Sequence, residues 1–265
     1  CEGTTINFTA TIGDAGASPT IDWYYNDVAQ GVNSTSFSFA GFTDSDTVFA
    51  VVWSDYVCPS PDSVISNEII HTVLPNTTPT VSIIKDPSTV VCLNASIEFS
   101  ATALDCGASP SYQWYREGTP VGTDTDVYSA SDFADGEEVY VVVTSDYACS
   151  NNPTAESNHL FAEVSTPPTS AYTIISGGYC FGEEICFEYS GETANLDHVE
   201  WQVIDGGPST FFSGEGPHCY TPTTSVIQIS ANAYDTNGCV DTALFLNGML
   251  SPSLTPSVTI STDEL

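Results

Sequence analysis

Residues 5–12 read Thr-Ile-Asn-Phe-Thr-Ala-Thr-Ile, an unbroken alternation of polar and apolar side chains. A period of two is the pattern of a β-strand that buries one face. Residues 14–19, Asp-Ala-Gly-Ala-Ser-Pro, are typical of a turn, and Ile21, Trp23 and Tyr25 then restart the alternation. Later strands are predicted at Phe37 and Phe39 and at Val48, Ala50 and Val52. This succession of short strands predicts a β-sandwich.

The same pattern returns 91 residues further along the chain. Residues 1–58 align with residues 92–149 without a gap, since 92 − 1 = 91 and 149 − 58 = 91. The alignment places the turn 14–19 on residues 105–110 and Trp23 on Trp114. A fixed period of this size indicates tandem domains. With a tryptophan on an early strand of each repeat, we expect immunoglobulin-like sandwiches.

A third segment departs from this repeat. Its Trp201 strand ends at Asp205-Gly206, and a His218-Cys219-Tyr220 segment follows. A long alternating stretch, residues 226–235, then closes on Asn237-Gly238-Cys239. The order of these motifs resembles the PKD-type sandwich, although Ile204 stands where that family has the first glycine of its Gly-Asp-Gly turn.

The predicted fold is therefore all-β, with tandem immunoglobulin-like sandwiches, the third PKD-like, arranged as an elongated rod. Short proline-bearing linkers at residues 74–79 and 165–168 should act as semi-stiff spacers. The expected segments are repeat 1 (1–75), which lacks its first strand, repeat 2 (76–167), repeat 3 (168–250), and a linker with the first strand of a following domain (251–265).

Residues 257–265 match the beginning of repeat 2, Thr80 onwards, so Ser257, Val258, Thr259 and Ile260 are a candidate assembly strand. Two explanations stay open. Either the chain is a window of a longer array, or this strand of one copy completes the open sandwich of the next copy by strand addition. Both explanations predict linear, end-to-end assembly with neighbouring copies or adjacent repeats.

Nine cysteines in this chain indicate disulfides and an oxidising exterior. The regular separations favour one bond within each repeat. The predicted pairs are Cys1–Cys58, Cys92–Cys149 and Cys180–Cys239, with Cys186–Cys219 as an additional pair in repeat 3. Cys106 is left over, either as a buried thiol or as a contact to another chain. Acylation of Cys1 is a further alternative, against which the equivalent position of Cys92 in mid-chain argues.

The charge is strongly acidic. Lys85 and Arg116 are the only basic residues against 34 acidic ones, which gives a formal net charge of −32. Such a surface repels nucleic acid and anionic lipid headgroups, and no stretch is apolar enough to insert into a membrane. Scattered carboxylates would keep an extended protein soluble. They also suggest calcium as the one candidate cofactor, at the acidic turns 124–126 and 132–138, although neither has EF-hand spacing.

No catalytic constellation is recognisable. The four histidines lie outside any nucleophile or metal motif, no Cys-x-x-Cys pair is present, and almost no cation could hold a developing anion. We therefore predict that the chain is not an enzyme.

The whole chain resembles the Ig-like and PKD-like repeat regions of large secreted surface adhesins and cell-surface filaments of Bacteroidota. The features that carry this resemblance are the Cys-x-Gly-x-x-Ile-x-Phe opening at Cys1, the tryptophan strand after a Ser-Pro turn, and the Ser54-Asp55-Tyr56 segment that ends at Cys58. The resemblance implies an extracellular stalk or filament. The alternative is a module that binds a glycan or another cell, for which the out-of-phase Trp53 is a candidate platform.

Overall fold

The computed structural model describes residues 1–59, 61–177, 180–249 and 251–252. Every regular element in this part of the chain is a β-strand, which confirms the all-β prediction of tandem immunoglobulin-like sandwiches. The candidate assembly strand Ser257, Val258, Thr259 and Ile260 lies outside the described residues. The chain forms two compact units. Unit 1 comprises Cys1–Ser82, Thr102–Gln113 and Val141–Ser157, and unit 2 comprises Ile83–Ala101, Trp114–Tyr140 and Asn158–Leu265.

Repeat 1, in unit 1, is a sandwich of two sheets. Its strands are β1 (Ile6–Thr9), β2 (Thr20–Tyr25), β3 (Val28–Ala29), β4 (Ser36–Phe39), β5 (Asp46–Trp53), β6 (Ser63–Ile65) and β7 (Ile69–His71). One sheet pairs β1 with β4, and the other has the order β3-β2-β5-β6, with β7 also on β5. The two sheets bury Phe8 and Phe37 against Ile21, Trp23 and Val48. The predicted alternation is confirmed, because the apolar positions of residues 5–12 are the less exposed ones.

The turn that follows β1 depends on a glycine. Gly16 has a φ of +102°, and a Cβ added there would lie 1.5 Å from the side chain of Asp55. Asp55 accepts a hydrogen bond from the backbone N–H of Ser18 at 2.8 Å. In repeat 2, Asp146 accepts from the N–H of Ser109 at 3.1 Å. The shared Ser-Asp-Tyr segment therefore ties this turn to the end of the long strand.

The strands of repeat 2 are β8 (Thr80–Asp86), β9 (Val91–Cys92), β10 (Ile97–Leu104), β11 (Ser111–Arg116), β12 (Thr119–Val121), β13 (Val127–Ala130), β14 (Glu138–Thr144), β15 (Thr154–Glu156), β16 (Leu160–Phe161) and β17 (Val164–Ser165). The sheet orders are β13-β10-β8 and β12-β11-β14-β15, with β16 on β14, and β17 pairs with β9 in parallel. Trp114 is fully buried, and its ring lies 6.0 Å from that of Tyr128 on the facing sheet.

Repeat 3 lies in unit 2. Its strands are β18 (Tyr172–Ser176), β19 (Cys180–Phe181), β20 (Ile185–Tyr189), β21 (Leu196–Ile204), β22 (Thr210–Ser213), β23 (His218–Tyr220), β24 (Val226–Asp235), β25 (Val240–Met249) and β26 (Ser251–Pro252). The sheets β18-β20-β23 and β22-β21-β24-β25 enclose a core that includes Phe187 and Trp201. Trp201 donates its indole N–H to the carbonyl of Gly214 at 2.9 Å, as Trp23 donates to Ser34 at 2.8 Å.

Candidate functional site

The candidate site consists of two disulfide junctions, each of which joins consecutive repeats. In the first junction, Cys1 of repeat 1 is bonded to Cys149 of repeat 2, with a Cα–Cα distance of 5.2 Å. The N–H of Glu2 donates to the carbonyl of Leu74 at 3.0 Å, which holds Cys1 beside the point where the chain leaves repeat 1. On the other side, the N–H of Thr77 donates to the carbonyl of Cys149 at 3.1 Å. The linker is therefore held next to the bond at both ends.

The second junction repeats this arrangement one domain later. Cys92 of repeat 2 is bonded to Cys239 of repeat 3, with a Cα–Cα distance of 5.4 Å. The N–H of Leu93 donates to the carbonyl of Ser165 at 2.9 Å, so Cys92 again lies beside the chain exit. Asp235 accepts from the hydroxyl of Ser165 and, at 2.7 Å, from the N–H of Cys239. The carboxylate of Asp235 thus shapes the loop that carries Cys239 and also binds the first residue of the linker.

Asp235 is suited to this role because its negative charge is retained. The residue is 2% exposed. Burial alone would raise the pKa, but hydrogen bonds from Ser165, Cys239 and Asn237 outweigh burial and lower the pKa of Asp235. The junction is therefore organised by an ionised, hydrogen-bonded carboxylate.

The predicted pairing within each repeat is wrong. Cys1–Cys58 and Cys180–Cys239 do not form, and Cys58 and Cys180 are free thiols. Cys92–Cys149 does not form either, because these residues are bonded to Cys239 and Cys1. Cys186 is joined to Cys219, which was the predicted additional pair.

The physical reason is that the two cysteines of a repeat lie at opposite ends of its strands. Cys1 lies where β1 starts, whereas Cys58 follows Asp55, which binds the turn after β1. At about 3.3 Å per residue, the stretch from Ile6 to Gly13 separates them by roughly 20 Å, and a disulfide requires Cα atoms about 4.4–6.8 Å apart.

Repeat 3 shows the same separation. Cys180 pairs with Ser251 at the exit from the repeat. Cys239 instead follows Asp235 at the far end of the ten-residue strand β24.

Cys106 is a buried thiol, 3% exposed. Its Sγ donates to the carbonyl of Leu104 at 3.1 Å, and burial raises the pKa of the thiol. A protonated, buried thiol is a poor nucleophile and a poor partner for exchange.

The candidate calcium turn at residues 132–138 is already occupied by protein groups. Arg116 forms ion pairs with Asp132 at 3.0 Å and with Glu137, and its guanidinium lies 4.5 Å from the ring centroid of Phe133. Asp135 accepts from the N–H of Val164 at 2.9 Å. Because their oxygens bind Arg116 or the backbone, these carboxylates are structural.

Repeat 1 contains the counterparts of these contacts, which supports a structural role. Asp46 aligns with Glu137, and Tyr25, which aligns with Arg116, donates to Asp46 at 2.5 Å. Hydrogen bonds from Asn26, Tyr25 and Thr43 lower the pKa of Asp46 to about 2. Asp44 aligns with Asp135 and accepts from Val73 at 3.2 Å, as Asp135 accepts from Val164.

Histidines and potential metal ligands also have structural surroundings. His159 lies 2.8 Å from Glu138 and stacks on Tyr140, and His198 stacks on Tyr234. Among the described residues, the one cluster with metal-ligand geometry is Glu184 with Cys186 and Cys219. The two sulfurs of that cluster are bonded to each other, so no thiolate is available for a metal.

Two surface features of repeat 1 differ in how far the sequence predicted them. Trp53 was predicted to be out of phase with the core, and it is 37% exposed. Repeat 1, which was predicted to lack its first strand, has a groove of about 540 Å³ beside β1, and the lining residues 7–13 and Asn67 were not among the predicted site residues. The alignment of Asn67 with Asn158 of repeat 2 was the available signal for that groove.

Comparison with known proteins shows sequence similarity over part of the chain. No protein-family model matches the sequence. Over 161 residues the chain is 32% identical to the highly immunogenic outer capsid protein of Enterobacteria phage T4, an alignment that covers 57% of this chain and 42% of that protein. The chain thus spans less than half of the length of this relative.

Solved structures of tandem domains are also similar. One comes from a 1.5-MDa bacterial ice-binding adhesin (TM-score 0.49, 15% identity, covering 94% of this chain and 91% of that chain). Another comprises the three N-terminal domains of the bacteriophage RB49 Hoc protein (TM-score 0.38, 15% identity, 92% and 90%). A third is the D1–D4 ectodomain fragment of ICAM-5 (TM-score 0.40, 10% identity, 94% and 72%). None of the described residues forms a helix long and apolar enough to cross a membrane.

Proposed function

We propose that this chain is a structural, non-enzymatic segment of an extracellular surface protein, in which tandem sandwiches act as a spacer in an adhesin stalk or cell-surface filament. The three repeats are the domains of this spacer, with boundaries near residues 75 and 167 and a PKD-type third sandwich. Its function is to hold a neighbouring region at a distance.

The observation that supports this proposal is the placement of the disulfides. Bonds within a domain stabilise that domain alone, whereas Cys1–Cys149 and Cys92–Cys239 tie each repeat to the next one. A flexible linker lets neighbouring domains move independently. A covalent bond beside the linker restricts that freedom, which is the property that a spacer requires.

Location and charge support the same proposal. Disulfides persist in oxidising, extracellular environments. The T4 relative is an outer capsid protein, and a surface location is the corresponding proposal for this chain. A net charge of −32 keeps neighbouring stalks apart through repulsion.

The test is replacement in the source cell. Residues 1–252 are exchanged for three unrelated disulfide-bonded sandwich domains, so that the number of domains is unchanged. Attachment and surface labelling of intact cells are then measured. A spacer tolerates this exchange, while deletion of the same residues reduces attachment. Loss of attachment after the exchange, with the label still at the surface, would show that these repeats carry a binding activity of their own.

The second candidate function is recognition of a glycan or another cell. The observation in its favour is the exposed aromatic pair Trp53 and Tyr56, which are 37% and 57% exposed. Sugars stack on such rings.

A further inference from the structure

In the part of the chain that the structure describes, the sheet of β1 and β4 in repeat 1 has one strand fewer than the corresponding sheet of repeat 2. Within the described residues, β1 has β4 as its neighbour, whereas the equivalent strand β10 lies between β13 and β8. β1 is four residues long and β10 is eight, although they begin at aligned positions. The second half of the aligned stretch, residues 10–13, is therefore an open edge where repeat 2 has β8.

The open edge borders a groove that reaches the core. The groove is lined by residues 7–13, by residues 64–67 with Ile69, and by core residues that include Trp23 and Val52. Phe8 is 7% exposed, whereas its counterpart Phe99 is 0% exposed. Val52 is 8% exposed and Val143 is 0% exposed. Both residues of repeat 1 are buried, but they are slightly more exposed than their counterparts, as expected where an additional strand would cover them.

An asparagine marks the position of the absent strand. In repeat 2, the amide of Asn158 accepts from the N–H of Ile83 at 2.8 Å and donates to its carbonyl at 3.2 Å. Asn67 aligns with Asn158, since 158 − 67 = 91, and it lines the groove. In the described part of the chain, the Asn67 amide has no hydrogen-bond partner. It can clamp one residue of an incoming strand by both backbone groups.

Two cysteines are unpaired although the equivalent cysteines of other repeats form disulfides. Cys58 aligns with Cys149, which accepts the bond from the preceding repeat, and it lines a depression of about 320 Å³ with Asp14 and Val64. Cys180 corresponds to Cys1 and Cys92, which are bonded to the following repeat. It pairs with Ser251 as Cys92 pairs with Ser165. Repeat 1 thus has a free cysteine at the position that bonds to the preceding repeat, here called the acceptor. Repeat 3 has a free cysteine at the position that bonds to the following repeat, here called the donor.

We propose that these features receive a second copy of this chain, whose residues 257–263 fill the groove of repeat 1 and whose Cys180 bonds to Cys58. This proposal names the partner of the spacer and therefore rests on the proposed function. The number of residues from the point where the chain leaves a repeat to the isoleucine of the next strand is constant. Ile83 lies nine residues after Leu74, Ile174 nine after Ser165, and Ile260 nine after Ser251, since 83 − 74, 174 − 165 and 260 − 251 all equal 9. Val258 and Ile260 match Val81 and the buried Ile83.

The incoming strand is held in two ways. Its backbone completes the sheet edge, and Ile260 covers Phe8 and Val52 with its N–H and carbonyl on Asn67. The bond then forms by oxidation of two thiols. Cys58 and Cys180 together lose two protons and two electrons to a small-molecule disulfide such as oxidised glutathione, which is reduced to two thiols.

The first experiment mixes two variants of the full chain, each with one cysteine replaced. Cys58→Ser retains the donor Cys180, and Cys180→Ser retains the acceptor Cys58. Under oxidised glutathione, each variant alone is expected to remain at 28.1 kDa on a non-reducing gel, and the equimolar mixture is expected to form a species of twice that mass. Peptide mapping after pepsin digestion in acid should find Cys58 joined to Cys180. A mixture that stays monomeric, or variants that dimerise equally well alone, would overturn the proposal.

The second experiment tests the strand. Ile260→Asp is introduced into the donor variant Cys58→Ser, with Ser261→Asp, on the opposite face of the expected strand, as the matched control. We expect at least a tenfold slower dimer formation with Ile260→Asp and less than a twofold change with Ser261→Asp. Asn67→Ala in the acceptor variant should also slow dimer formation. Equal rates for all variants would refute strand insertion.

The source of the strand is tested on protein isolated from its natural surface. Disulfide mapping there should again join Cys180 of one copy to Cys58 of another. A free Cys58, or a bond from Cys58 to an upstream cysteine of the same polypeptide, would exclude the second copy as the occupant. Either result leaves the spacer function intact, because the replacement experiment tests that function independently.

Discussion

Removal of the second junction should destabilise repeat 3 far more than removal of a free thiol. The variant Cys92→Ser breaks the bond to Cys239 at the exposed partner and keeps the buried Cys239 thiol in place. When repeat 3 unfolds and repeat 2 stays folded, Ser165 remains beside Cys92 through its hydrogen bond to Leu93. The bond therefore closes a loop from Ser165 to Cys239, and 239 − 165 = 74 residues.

The magnitude follows from the length of this loop. On the chain-entropy account, a loop of this length restricts the unfolded state by about 4 kcal/mol at 25 °C. For a domain of this size, such a loss lowers the midpoint of thermal unfolding by roughly 15–30 °C. The assay is differential scanning calorimetry together with urea unfolding of the monomeric, oxidised protein.

The matched control is Cys58→Ser in the same monomeric preparation. Cys58 is exposed and unbonded, so we expect a change of less than about 0.5 kcal/mol in the free energy of unfolding. Bonding within each repeat would instead make Cys58→Ser cost about 4 kcal/mol. A Cys92→Ser variant that unfolds within 1 kcal/mol of the parent, roughly the uncertainty of such measurements, would refute the reasoning.

Three further predictions concern charge and surface. Burial would raise the pKa of Asp205, but hydrogen bonds from two threonines outweigh it and lower the pKa to about 2. The ionised carboxylate therefore stabilises the fold above about pH 4, and this contribution is lost as the pH falls towards 2. Urea titrations should show that Asp205→Asn is less stable than the parent by about 2 kcal/mol at pH 7, and a gap that stays constant down to pH 2 would contradict this. Arg116→Met leaves Glu137 without the guanidinium that it binds, and it should lower the free energy of unfolding by about 2 kcal/mol in chemical denaturation. Lys85→Met should lower it by less, because the partner of Lys85 is half-exposed. Equal losses would show that the Arg116 cluster adds no stability of its own. A glycan array should show no binding, and specific binding that is lost in Trp53→Ala would favour the recognition function instead.

Much of the fold could be predicted because the signal for strands is local. The alternation at residues 5–12 and the phase of Ile21 and Trp23 predicted which side chains face the core. Phe8, Ile21 and Trp23 are buried, and the other apolar positions of residues 5–12 are partly buried. The turn at Gly16 was also predictable from composition, although its contact with Asp55 depends on the tertiary structure. Burial of one face of a strand needs no information about distant parts of the chain.

The junctions could not be predicted in the same way. A separation of 57 residues within repeats 1 and 2 and separations of 148 and 147 between repeats are both regular, so spacing does not choose between them. Asn67 was equally ambiguous, because an exposed asparagine acquires a meaning only when Asn158 is seen to hold Ile83.

By itself, the amino-acid sequence determined the strand pattern and the tryptophan-centred cores, since both follow from the polarity of neighbouring residues. It also determined the 91-residue period, which follows from the alignment of residues 1–58 with residues 92–149. Only the tertiary structure decided which cysteines meet. The strands run the length of each sandwich, so they place Cys1 at the exit of its repeat and Cys58 at the opposite end. A disulfide requires two Cα atoms within a few ångströms of each other, and that proximity arises at the junction between repeats.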